Sequence, residues 1–165
     1  MKSLLTCLAL SVLATSTLLA TPIPDDAKIS GFALGCQAYT FNRFSAFEAI
    51  EKTAQAGGKI IEFYPGQKLS AEKPDLKVHH DASDEVLADK KEKLAKHGIR
   101  AVNYGVVGGK DAAEWRKIFE FAKKLELYAI TTEDVGHIDD IEKLVKEFDI
   151  CVGYHEHARN ANNPN

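Results

Sequence analysis

Residues 99–134 read IRAVNYGVVGGKDAAEWRKIFEFAKKLELYAITTED. The apolar run 99–107 has the composition of a buried strand, and Gly108-Gly109 marks a turn. Asp111, with Glu114 three residues later, opens a helix by capping its first free N–H groups. Trp115, Ile118, Phe119, Ala122 and Leu125 then recur at the 3.6-residue spacing of one helix face. Residues 127–134 (LYAITTED) form the next strand. The segment is therefore one strand–helix–strand unit.

The same unit repeats on both sides. Upstream, GFALGCQAYTF (31–41) reads as a strand, and Ser45 with Glu48 forms a capping box. Phe47, Ile50 and Ala54 give the following helix its apolar face before Gly57-Gly58 ends it. KIIEFYP (59–65) is the second strand, followed by a polar stretch, 66–82, holding Pro74 and His79-His80-Asp81. Ser83 caps a second helix with Asp84 and Glu85 in its first turn, and Gly98 stands just past its end. Downstream, 139–148 makes a fourth helix with Ile141, Leu144 and Val145 facing inward, and DICVGYHEH (149–157) a fifth strand.

Five strands alternating with four helices argue for a parallel sheet with right-handed crossovers. An open doubly wound sheet and part of a (β/α)8 barrel both satisfy that. No G-x-G-x-x-G follows the first strand, so the dinucleotide signature is missing. Polar residues gather instead at the carboxyl ends of successive strands: Gln37 and Tyr39, Glu62 and Tyr64, Asn103 and Tyr104, Glu133 and Asp134, then His155, Glu156 and His157. A barrel converges such ends on one pocket. The expected fold is thus α/β of the (β/α)8 TIM-barrel type, incomplete, with about five β/α units.

Composition narrows the functional classes. The chain of 165 residues is 45% hydrophobic and 27% charged, with 21 basic and 24 acidic residues and a net charge of −3. That balance argues against a nucleic-acid binder, which needs clustered positive charge. Residues 1–20, MKSLLTCLALSVLATSTLLA, have a basic start, an apolar run and a small-residue end, the pattern of a secretory signal peptide. A linker, 21–29, and the barrel segment, 30–165, follow. The expectation is an exported protein, periplasmic or secreted, with no stable membrane anchor after cleavage. Export would place Cys36 and Cys151 where a disulfide is permitted, provided their Cα atoms come within about 7 Å. Both lie in apolar strand-like runs that suit free thiols equally well.

The runs IIEFYPGQKLS (60–70), VNYGVVGG (102–109), WRKIFEFAKKL (115–125), ITTED (130–134) and YHEHARNANNPN (154–165) together resemble the xylose isomerase-like TIM-barrel superfamily. More narrowly, they are similar to exported sugar phosphate isomerases/epimerases, relatives of hydroxypyruvate isomerase and endonuclease IV. The resemblance covers residues 30–165. It implies a divalent metal (Mn, Co, Zn or Mg) at the carboxyl face, a small carbohydrate substrate, and proton transfer next to a carbonyl. Residue by residue, it implies Glu133, His155 and His157 as metal ligands, with Glu133 also the catalytic carboxylate. Glu62, Tyr64 and Asn103 fall at substrate-contact positions. Imidazole and carboxylate donors suit such metals, and a mixed shell leaves positions for substrate oxygens.

Bland readings stand beside these. H-E-H at a strand end puts His155 and His157 on one face and Glu156 on the other, as any polar rim would. Glu133-Asp134 is equally a solvated strand end, and the adjacent residues His79-His80-Asp81 sit in a loop, where such runs rarely make a site.

The sequence also departs from its resemblance. A full barrel has eight strands and typically about 250 residues, and the later strands that carry further ligands in relatives have no counterpart among the five here. Exposed sheet edges and self-association through them are expected. A non-catalytic half-barrel that binds a sugar or a partner chain is the alternative. Relatives commonly carry Gly where this chain has Glu126 and Asp149. Left-handed geometry at those helix ends would cost each residue on the order of 1 kcal/mol.

Overall fold

The computed structural model describes residues 22–158. The expected signal peptide lies outside them. A short 3-10 turn, Asp25–Ala27, leads into β1 (Lys28–Ile29), which pairs antiparallel with β2 (Phe32–Ala33). There follow β3 (Gly35–Gln37), α1 (Ala46–Gln55), β4 (Ile60–Phe63), α2 (Asp84–His97), β5 (Arg100–Tyr104), α3 (Ala112–Lys124), β6 (Ala129–Thr132), α4 (Ile138–Phe148) and β7 (Cys151–Tyr154). Strands β3 to β7 form one parallel sheet in chain order. Sequential order with a helix between each pair is consistent with part of a TIM-barrel-like fold.

The helix starts follow from local chemistry. Ser45 and Glu48 complete a reciprocal capping box on α1. The Ser83 hydroxyl accepts from Val86 N–H, and the Asp111 carboxylate from Glu114 N–H. Gly98 takes a left-handed conformation, φ 62°, after α2. Glu126 and Asp149 hold the same region without glycine's freedom, at φ 56° and 54°.

One sheet face packs against the helices. Ile61, Phe63, Ala101, Tyr104 and Ile130 from the strands meet Ile50, Leu87, Trp115, Ile118, Phe119, Phe121 and Ile141 in a single core. Each large side chain there contributes about 1.5–3 kcal/mol by leaving water. Alternation sends the intervening residues to the other face.

Two expectations change. The run 31–41 is not one strand. Ser30 (φ 51°) and Gly31 (φ 85°) reverse the chain between β1 and β2, and residues 38–41 wind into a 3-10 turn after β3. The reversal also gives the expected linker ordered structure, since Lys28 and Ile29 pair with Ala33 and Phe32. Cys36 and Cys151 are free thiols, carried by the two outermost strands of the parallel sheet.

Candidate functional site

The sheet face turned away from the helices carries a hydrogen-bonded polar row. Gln37 pairs in register with Glu62, and Glu62 with Asn103. The Gln37 side-chain amide donates to Glu62 Oε1 at 2.9 Å, and the Asn103 amide donates to Thr131 Oγ1 at 2.6 Å. Burial pushes the Glu62 carboxyl up from its ordinary value, opposed by hydrogen bonds from Gln37 and Asn103 and by the nearby His155. Asn103 Oδ1 also accepts from the backbone N–H of Tyr104 at 2.8 Å. Asn103 is thus occupied within the row.

Above the row opens a cleft of about 290 Å³, lined by Gln37, Tyr39, Tyr64, Pro65, Gly105, Val106 and His155. The Tyr39 and Tyr64 rings meet edge to face, with centroids 5.2 Å apart. Burial, and then the neighbouring Tyr39, raise the Tyr64 phenol above its usual range. Gly105 approaches β6 so closely that a Cβ there would run into the Thr131 carbonyl. The chain therefore passes at this point only without a side chain.

Glu133 follows the last residue of β6, and His155 the last of β7. The β6–β7 pairing brings them together, extended by His155 N–H donating to the Thr132 carbonyl at 2.8 Å. His157 Nε2 lies 2.8 Å from Glu133 Oε1, and His155 Nε2 lies 4.0 Å from the same oxygen. One donor atom from each of the three falls within 4.8 Å of the others. All three side chains are about half exposed. One carboxylate oxygen and two imidazole nitrogens make a donor set that fits a first-row divalent ion, and the exposure leaves room for further oxygen ligands.

Asp134 takes a different part. Its carboxylate accepts from Trp115 Nε1 at 3.1 Å and Gly136 N–H at 2.8 Å, and pairs with His137 Nδ1 at 2.7 Å. Burial raises this carboxyl, but the hydrogen bonds from His137, Trp115 and Gly136 outweigh it and hold the group below its usual range. Asp134 therefore fixes the turn after β6, leaving Glu133 free to face the histidines.

Thus the residues singled out from sequence divide into three groups. Glu133, His155 and His157 meet at one point. Tyr64 lines the adjoining cleft, and Glu62 lies half-buried in the row beside it. Asn103 is committed to its neighbours. The row partners Gln37 and Thr131 are further members of this face. Gln37 was visible as a strand-end polar residue, whereas nothing in the sequence marks Thr131.

A 30%-identical solved structure, an uncharacterized protein from Parabacteroides distasonis, superposes with a TM-score of 0.69 over 75% of this chain and 53% of its own. A xylose isomerase domain protein from Planctomyces limnophilus is 13% identical, with a TM-score of 0.44 over 78% of this chain and 55% of its own. The chain spans about half the length of both proteins. No protein-family model and no curated protein matches it. Among the described residues, no helix is long and apolar enough to cross a membrane.

Proposed function

We propose that the carboxyl edge of the sheet binds a divalent metal through Glu133, His155 and His157, and serves isomerisation or epimerisation of a small sugar or hydroxy-carbonyl compound. The observation that carries the reading is the convergence of those three donors beside a cleft walled by two tyrosines. A bound divalent ion would polarise the substrate's carbonyl and hydroxyl oxygens. Within the chain, Tyr39 and Tyr64 offer flat surfaces on which a sugar ring packs. Glu62, pushed up by burial and held at one oxygen by Gln37, is the carboxylate placed to move a proton beside the carbonyl. Glu133, the catalytic carboxylate of the sequence reading, acts here as a ligand. Export of the chain, on the strength of residues 1–20, belongs to the same proposal.

Calorimetric titration of the full chain with MnCl2, CoCl2 and ZnCl2 tests the site. Binding is expected in the wild type and is lost at this edge in Glu133→Gln and His157→Ala. Glu62→Gln is expected to keep the metal and lose turnover on a panel of aldoses and ketoses. Metal binding without turnover would favour the non-catalytic half-barrel, and absence of both would overturn the proposal. Periplasmic or secreted fractionation of the expressed chain checks export.

A further inference from the structure

At the centre of the run His79-His80-Asp81, His80 does not lie in the solvent as a loop residue would. The His80 side chain is only 3% exposed. Its ring stacks on His79, with centroids 4.0 Å apart, and meets Tyr104 edge-on at 6.5 Å. Tyr104 belongs to the helix-packed face of the sheet, so this cluster lies on the opposite side from the row of Gln37, Glu62 and Asn103.

The hydrogen bonding of His80 decides what its ring can do. Glu114 sits in the first turn of α3. Its Oε2 accepts the backbone N–H of Lys110 at 2.8 Å, and its Oε1 lies 3.3 Å from His80 Nε2. A carboxylate in the first turn of a helix that accepts a backbone N–H is an anion at neutral pH. An anion has no proton to give, so Nε2 is the donor and, in the neutral ring, the lone pair falls on Nδ1. That Nδ1 is buried and has no protein hydrogen-bond partner. A carboxylate that orients one imidazole nitrogen while the other offers its lone pair is the arrangement that supports metal-bound histidines.

The neighbours supply further donors. Asp81 Oδ2 lies 3.4 Å from His79 Nδ1, while Oδ1 is taken by Lys117 Nζ at 3.1 Å. Tetrahedral zinc with bonds near 2.0–2.1 Å separates its ligands by about 3.3 Å, and the Asp81–His79 pair already has that spacing. One donor atom from each of the three residues lies within 4.8 Å of the others. His79 and Asp81 are 43% and 53% exposed, so both side chains have room to move toward an ion bound at His80. His79 Nδ1 would give up its bond from Asp81 N–H, 3.2 Å, to do so.

We propose that His79, His80 and Asp81 form a second zinc site, oriented by Glu114, which clips the loop 66–82 onto α3. The proposal stands apart from the carboxyl-edge site, and the two are separable by experiment. The metal-stripped full chain is titrated with ZnCl2 by calorimetry and with CoCl2 by visible absorption. In a His155→Ala/His157→Ala background, one equivalent of zinc is expected to bind and to raise Tm. Adding the exposed substitutions His79→Ala and Asp81→Asn should abolish both effects, and Glu114→Gln should weaken binding on the order of tenfold. Because His79 and Asp81 are exposed, these variants test the site without removing a core residue. Failure of the His155→Ala/His157→Ala chain to bind zinc, or unchanged binding after the added substitutions, would overturn the proposal. The His79→Ala/Asp81→Asn chain with wild-type histidines reports the carboxyl-edge site alone.

Discussion

The Lys90 ammonium lies 4.6 Å from the centre of the Phe63 ring. It also sits 5.0 Å from the Phe121 ring, on a side chain with no exposure and no hydrogen-bond partner for Nζ. Ring faces attract a cation, but less than water does, and burial lowers the Lys90 pKa to about 7.

A lysine whose folded pKa lies below its unfolded value destabilises the fold wherever the folded state must be protonated. The penalty is complete below about pH 7 and fades as pH rises toward 10.5. A shift of that size corresponds to roughly 5 kcal/mol. Lys90→Met, similar in length and without charge, is expected to stabilise the chain, with the larger gain at pH 6 than at pH 9. Urea unfolding of both proteins at the two pH values measures the difference; an equal gain at both would contradict it.

The left-handed helix ends give a second expectation. Glu126→Gly and Asp149→Gly should each raise stability by about 1 kcal/mol, since glycine adopts φ near +55° without a Cβ clash. The sites end different helices, so the double variant should show the sum. Thermal unfolding of the three variants against wild type checks both size and additivity.

Asp134 makes the site depend on acid. Its carboxyl is held below the ordinary value of 3.8, so the stability it gives is present above that pH and disappears as pH falls through the lower folded value. Asp134→Asn should cost about 1–3 kcal/mol by loosening the Trp115 and His137 bonds. It should also weaken the metal binding proposed at Glu133, which directly precedes the turn. Trp115 fluorescence followed from pH 6 to pH 2 reports the first effect and calorimetry the second.

Among the described residues, β3 and β7 each pair on one side only. Self-association through these edges is expected. Lysine at exposed Cys151 or Tyr154 should shift the chain toward monomer in sedimentation velocity, because charge on an edge strand opposes pairing. A wild-type chain that stays monomeric at high concentration would contradict the expectation.

These expectations also show where sequence is informative. The starts of α1, α2 and α3 were legible because capping involves residues three apart. Glu133, His155 and His157 were singled out by the resemblance, and they meet because parallel strands in chain order set successive ends side by side. The β1–β2 hairpin was hidden because each of its strands is only two residues long, too short for an alternating pattern to show beside Ser30-Gly31. The burial of His80 was hidden because its partner Glu114 lies 34 residues away on another element. Asn103 looked available for a substrate because its partner, Thr131, is supplied by the neighbouring strand.

The Gln37–Glu62–Asn103–Thr131 row has a consequence for how the sheet assembles. Strands that are apolar on both faces slide past one another with little discrimination between Val, Ile and Ala. Here each rung is a donor matched to one acceptor. A one-residue slip of β4 would carry Glu62 to the helix side and leave the Gln37 amide facing Ile61 or Phe63. The row therefore works as a key for strand alignment, favouring the observed pairing over its slipped alternatives.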